Sequence, residues 1–205
     1  MSTTSPRLVT WENGTDLVIE MPLALDVERV WDALTDSASV RTWFAPFRLG
    51  EEPANTDTDA DNDADADTDN DADAPAARPI TFELEDVELT GTVLSCETCD
   101  HVLFELEGFG VLGIRLVPLD DDAGQGTSDA GQGTSDAGRE TLLVFTQTAA
   151  DADAARTRAE EFGPMWDTHL RLFARTLGAE VAEMSEPELD AVYSNLELET
   201  AEAES

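Results

Sequence analysis

Two constellations in this 205-residue sequence hold side chains capable of chemistry, and each contains one of its two histidines. His169 stands in a run whose apolar members Phe162, Met165, Trp166, Leu170, Phe173 and Leu177 recur at helical spacing. A histidine on such a face can anchor a polar ligand group or act as acid or base near neutral pH. It can equally be a core histidine whose hydrogen bonds the protein itself satisfies. No serine or cysteine lies near it in sequence as a nucleophile, and Asp167 belongs to a different side of the helix. The second constellation is Cys96-Glu97-Thr98-Cys99, followed by His101. A structural zinc site normally needs four ligands, and only the distant His169 is left as a nitrogen donor. A redox pair needs a nearby cation or helix N-terminus to lower a thiol pKa, which Glu97 and Asp100 oppose. Cys96, Cys99 and His101 are therefore an incomplete metal set, and no metal or cofactor is expected. The sequence also lacks a phosphate-binding glycine loop, a dinucleotide fingerprint and a carboxylate pair with identifiable roles. It offers no set of catalytic residues.

The elements that must position these residues follow from periodicity. Leu17, Ile19 and Met21 alternate on one face of a strand predicted to stop at Pro22. Asp26 is placed as an N-cap ahead of Val27, Val30, Trp31 and Leu34 at helical spacing. A second short turn runs through Val40 to the aromatic pair Trp43 and Phe44. Segments 80–84, 87–95, 101–107, 111–117 and 141–148 alternate apolar and polar residues, and their short spacings predict an antiparallel meander. With residues 17–21 this makes at least six strands. Ser185 and Glu188 form a capping box, and Leu189, Val192, Tyr193 and Leu196 predict a short amphipathic helix near 186–197 within an acidic tail, 179–205.

Two low-complexity segments interrupt a single domain spanning 1–178. Residues 51–77 contain an aspartate at every odd position from 57 to 73. As a strand this would put all the carboxylates on one face, so disorder is expected. A calcium loop starting at Asp57 would need glycine at Asn62 and glutamate at Thr68, so no EF-hand is present. DAGQGTS occurs at 122–128 and again at 129–135, which reads as a flexible hairpin loop over 121–138. Lengthening such a loop is inexpensive, since each doubling adds only about 0.6 kcal/mol.

The net charge is −35, and all 11 basic residues are arginine. Removing the nine aspartates at the odd positions leaves −26. Removing the nine acids beyond Gly178, where there is no base, leaves −17. Acidity is thus spread along the chain, as expected of a protein from an extreme halophile, where molar salt shortens the Debye length to about 3 Å. Nucleic acid and anionic membrane surfaces are excluded as partners by this charge. The first residues lack the charged start and apolar run of a signal peptide, and no stretch approaches the roughly 20 apolar residues that span a bilayer. A cytoplasmic protein is expected.

PLALDVERVWDALTDSASVRTWFAPF near the start and MWDTHLRLFARTL near residue 170 together resemble the START-like (SRPBCC) superfamily, in the branch named after the activator of Hsp90 ATPase. The resemblance covers residues 15–178 apart from the two inserts. Met165 replaces the glycine usual before the helix tryptophan, with Gly163 and Pro164 supplying a break at the start of the helix. The resemblance implies an α+β helix-grip fold: a curved antiparallel sheet of six or more strands wrapped around a long C-terminal helix, with two short helices after the first strand. The space between sheet and helix is a default small-molecule site. Its candidate walls are Trp31, Leu34, Trp43 and Phe44 from the short helices, Phe82, Phe104, Ile114 and Phe145 from the strands, and Phe162, Met165, Trp166, His169 and Phe173 from the long helix. The function implied is noncatalytic binding of a hydrophobic small molecule. The alternatives are a cochaperone-like activator of a chaperone ATPase and a polyketide cyclase- or dehydratase-like enzyme. The acidic tail is a candidate surface for a protein partner.

Overall fold

The computed structural model describes residues 2–51, 77–119 and 140–200. The Asp-x run and the repeat loop expected at 121–138 lie outside the described residues. The described chain is a nine-stranded sheet with a long helix packed on it.

β1 (Ser5–Trp11) and β2 (Gly14–Leu23) form an antiparallel hairpin. α1 (Val27–Thr35) and α2 (Ser37–Val40) follow, so the two short helices come after the second strand rather than the first. β3 (Phe47–Leu49), β4 (Arg78–Glu83), β5 (Glu88–Glu97), β6 (His101–Leu106), β7 (Gly110–Leu119) and β8 (Glu140–Ala149) run as a meander. β8 returns beside β2, which places α3 (Ala152–Thr176) across β2 and β8. α4 (Glu186–Tyr193) packs on α3, and β9 (Leu198–Thr200) pairs with β1. The strand order is β3-β4-β5-β6-β7-β8-β2-β1-β9. Because β9 runs parallel to β1, the sheet is mixed, not wholly antiparallel.

Two further expectations fail at prolines. β2 continues through Pro22, which lies opposite Leu142 of β8. Pairing with β1 stops at Glu20, so β2 has one neighbour there, the half-open position at which a strand admits a residue without an N–H. α3 begins at Ala152, ten residues ahead of Phe162, and Pro164 lies inside it, so there is no break. The Glu160 carbonyl that Pro164 leaves without an N–H belongs to an exposed residue, where solvent can satisfy it.

Local chemistry fixes the helix ends. Asp151 accepts a hydrogen bond from the Ala154 amide at 2.8 Å, capping α3. At the far end Gly178 takes φ +85°, the Gly178 amide donates to Arg175 and the Ala179 amide donates to Ala174, a Schellman closure that sends the chain toward α4. The core lies between α3 and the sheet, with Leu17, Ile19, Met21 and Leu143 fully buried beneath Trp166, Leu170 and Phe173. No helix among the described residues is long and apolar enough to cross a membrane.

Candidate functional site

A cavity of about 240 Å³ lies between the middle turn of α3, the α1–α2 region and β3 to β8. The order of elements explains its position. Residues 41–46 carry Trp43 and Phe44 from α2 toward β3, and the hydroxyl of Ser37 pins that passage by donating to the Phe47 carbonyl at 2.7 Å and accepting from the Phe47 amide at 2.8 Å. Phe44 then meets Phe82 edge-on at 5.2 Å and His169 edge-on at 5.1 Å, joining the short helices to the sheet and to α3. Trp166 closes the other side, with ring centroids 5.3 Å from Phe109 and 5.2 Å from Phe145. Such offset and edge contacts add about 0.5–1.5 kcal/mol each beyond area burial.

Of the candidate residues, the cavity wall brings together Leu34, Trp43, Phe44, Phe82, Phe104, Ile114, Phe145, Trp166 and His169. Trp31, Phe162, Met165 and Phe173 do not line it. Trp31 is buried in the core from α1. Phe162 lies a turn before the cavity and packs on Phe109 at 5.0 Å. Phe173 lies a turn beyond it, 5.1 Å from Trp43 and with no exposed surface. Met165 packs against the core beside them. The apolar face of α3 is longer than the cavity: one turn advances only about 5.4 Å, and only Trp166, His169 and Leu170 face the open volume.

The strands supply walls that sequence reasoning passed over, among them Ile80, Val93, Val102, Leu106 and Leu112. Their signal was present, since Ile80 alternates with Phe82, and Val102 and Leu106 flank Phe104 at period two. Cys96 had no such signal. Val93 and Cys96 both line the cavity although three positions separate them, because the β5–β6 register shifts between Val93 and Ser95. The extra residue rotates the end of β5 and turns Cys96 inward.

The same register dissolves the Cys-x-x-Cys-x-His set. Cys96 is a free thiol at the border of the cavity, still exposed to solvent, and partial desolvation there pushes its pKa up, the opposite of what a nucleophile or thiolate ligand requires. Cys99 is also free and takes φ +61° in the turn between β5 and β6. His101 stands opposite Glu97 and Arg115 on the other face of the sheet. Its Nδ1 lies 2.6 Å from Asp100 Oδ2 and its Nε2 2.9 Å from Ser95 Oγ. That contact with His101, reinforced by Arg115, holds the Asp100 carboxyl below its usual range. Among the described residues the group with metal-like spacing is Glu97, Asp100 and His101, without either cysteine, and the hydrogen bonds to Asp100 and Ser95 already occupy both nitrogens of His101.

The polar groups of the cavity wall are few, and some are engaged. Thr35 donates to the Trp31 carbonyl at 2.9 Å, and Arg78 Nε donates to the Gly50 carbonyl at 2.9 Å. His169 Nδ1 lies 2.6 Å from the Trp43 carbonyl. A carbonyl only accepts, so Nδ1 carries the proton. The histidine that could anchor a polar ligand group therefore already holds one partner, and in doing so ties α3 to the passage before β3. The indole nitrogens of Trp43 and Trp166 are buried without an acceptor. Among the described residues lining the cavity, no acid and base stand together in a catalytic pair. The arrangement can hold an apolar body and a small number of polar atoms.

No protein-family model and no curated protein matches the sequence. Solved structures share its fold. A conserved protein of unknown function from Enterococcus faecalis, EF2215, superposes with a TM-score of 0.55 at 15% identity, over 93% of this chain and 87% of that one. CalU16 from Micromonospora echinospora gives 0.51 at 14% identity, over 94% and 93% of the respective chains. The Aha1 dimer from Colwellia psychrerythraea is a looser match, with a TM-score of 0.44 at 10% identity over 79% of this chain and 92% of that one. At these identities the likeness is one of fold: an α+β helix-grip architecture in which a curved sheet faces a long helix.

Proposed function

We propose that this chain is a noncatalytic START-like domain that holds a small hydrophobic molecule between its sheet and α3. The observation that carries this reading is the cavity itself: about 240 Å³ walled by Trp43, Phe44, Phe82, Phe104, Phe145 and Trp166. Interiors normally close to crystal-like density, with few voids larger than a water molecule. A space of this size among large apolar side chains forfeits dispersion contacts that an apolar guest restores. The absence of an acid–base pair among the described wall residues supports binding over turnover.

Equilibrium dialysis against naphthalene in molar salt tests the reading, with native mass spectrometry of the purified protein to detect a copurifying molecule. Saturable uptake of one naphthalene per chain is expected. Failure to take up naphthalene by protein that is folded and carries no copurified molecule overturns the reading.

A further inference from the structure

Resting on that reading, we infer that the ligand is a hydroxyl-bearing aromatic molecule whose O–H donates to Nε2 of His169. The inference starts from the hydrogen bond at the other nitrogen. With its proton on Nδ1 directed to the Trp43 carbonyl, the ring in its neutral form keeps a lone pair on Nε2 and accepts there. No described group bonds to Nε2. His169 nevertheless lines the cavity, in a wall that is otherwise almost wholly apolar. The Trp43 bond and the edge-on contact with Phe44 at 5.1 Å hold the ring in place, so its tautomer and orientation are fixed before a ligand arrives.

The wall also offers donors. Trp43 Nε1 and Trp166 Nε1 are buried without an acceptor, and Trp166 is only 6% exposed. A hydroxyl both donates and accepts, so it suits a wall with one acceptor at Nε2 and indole N–H groups lacking partners. A carboxylate accepts only, leaves Nε2 unmatched, and brings charge into an apolar space. An aromatic body is favoured because the wall is largely aromatic, with Trp43, Phe44, Phe82, Phe104, Phe145 and Trp166 offering ring edges and faces for a guest ring to meet.

The test compares beta-naphthol, its methyl ether and naphthalene by equilibrium dialysis in molar salt. All three share the ring system, but only the naphthol has a donor. The naphthol is expected to bind roughly fivefold more tightly than the ether, the worth of one hydrogen bond. His169→Asn keeps a donor near the Nδ1 position and removes Nε2; it should abolish the preference of naphthol over ether, with the variant's own naphthalene affinity as the reference. Equal binding of naphthol and ether by the unaltered protein overturns the donor assignment and leaves apolar binding standing. A preference that survives His169→Asn moves the acceptor elsewhere and also overturns it. Failure of all three probes to bind overturns the underlying cavity reading.

Discussion

The ring of Tyr193 fills the space that a side chain at Gly163 would need. A Cβ built on Gly163 would sit within the van der Waals radius of the tyrosine ring, so α4 docks on α3 through a notch that only glycine leaves open. Gly163→Ala accordingly sets two effects against each other. Helix propensity favours alanine by about 1 kcal/mol. Overpacking against a buried ring costs about 1–3 kcal/mol. A net loss of about 1 kcal/mol is expected in urea denaturation. In a Tyr193→Ala background the clash is gone, and the same Gly163→Ala change should stabilise. Additive effects in the two backgrounds would show that the notch does not hold α4.

The hydroxyl of Tyr193 donates to Asp167 Oδ2 at 2.9 Å, and the other carboxylate oxygen accepts from Arg171 Nε. Arg171 also reaches the Ala182 carbonyl, Thr4 Oγ1 and Met184 Sδ, so one buried guanidinium joins the N-terminus, α3 and the approach to α4. Arg171→Met strands the Asp167 charge and should cost about 3–5 kcal/mol. A loss below about 1 kcal/mol would mean that the pair is not buried as described.

Burial, reinforced by the Asp167 charge, raises the Tyr193 pKa far above its ordinary value. The unfolded chain therefore ionises first. The contribution of Tyr193 is complete below about pH 10 and is lost as the pH climbs above it, at up to about 1.4 kcal/mol per pH unit. The chain has no lysine and a single tyrosine, so few other groups titrate in this window. Cys96, whose thiol pKa is also raised by burial, is replaced by serine in both proteins compared. Tyrosinate absorbance should appear only as the protein unfolds, and Tyr193→Phe should flatten the alkaline decline. Tyrosinate forming in the folded protein near pH 10 would contradict this.

Periodicity made the meander strands, β2 and the presence of α1 and α3 legible, because each presents a regular apolar face to one core. β3 and β9 were not legible, since three residues are too few to display a period. β1 was passed over because Ser5–Trp11 alternates only in part, and Pro22 and Pro164 misled because tertiary contacts overrode their local preference. In the cavity, aromatic residues were found by type while Ile80 and Val102 were overlooked despite sharing their period. Cys96 could not be placed, as its direction depends on a register shift that a single sequence does not encode.

The cavity predicts an unusual tolerance. In a closed core, enlarging valine to phenylalanine forces strain of about 1–3 kcal/mol. Val102 on β6 borders open volume, so Val102→Phe should change stability by less than about 1 kcal/mol and weaken naphthalene uptake by at least about tenfold. Strong destabilisation with binding intact would place the guest elsewhere.

Salt should stabilise this protein over a wide range. The surface ion pairs act in the opposite sense: screening removes the attraction of Arg7 to Glu20 and of Arg48 to Glu83 and Glu88. Exposed pairs are worth at most about 1 kcal/mol each. Against them stands repulsion among charges that sum to −35, which molar salt screens to about 3 Å. Repulsion therefore decides the sign. Thermal unfolding followed by circular dichroism should shift upward from dilute buffer to molar potassium chloride. Deleting residues 57–74, which lowers the charge to −26, should reduce that shift without removing it, because most of the acids lie elsewhere in the chain. Equal midpoints in both solvents would refute the salt-adapted reading. A shift abolished by the deletion would locate the repulsion in that one segment.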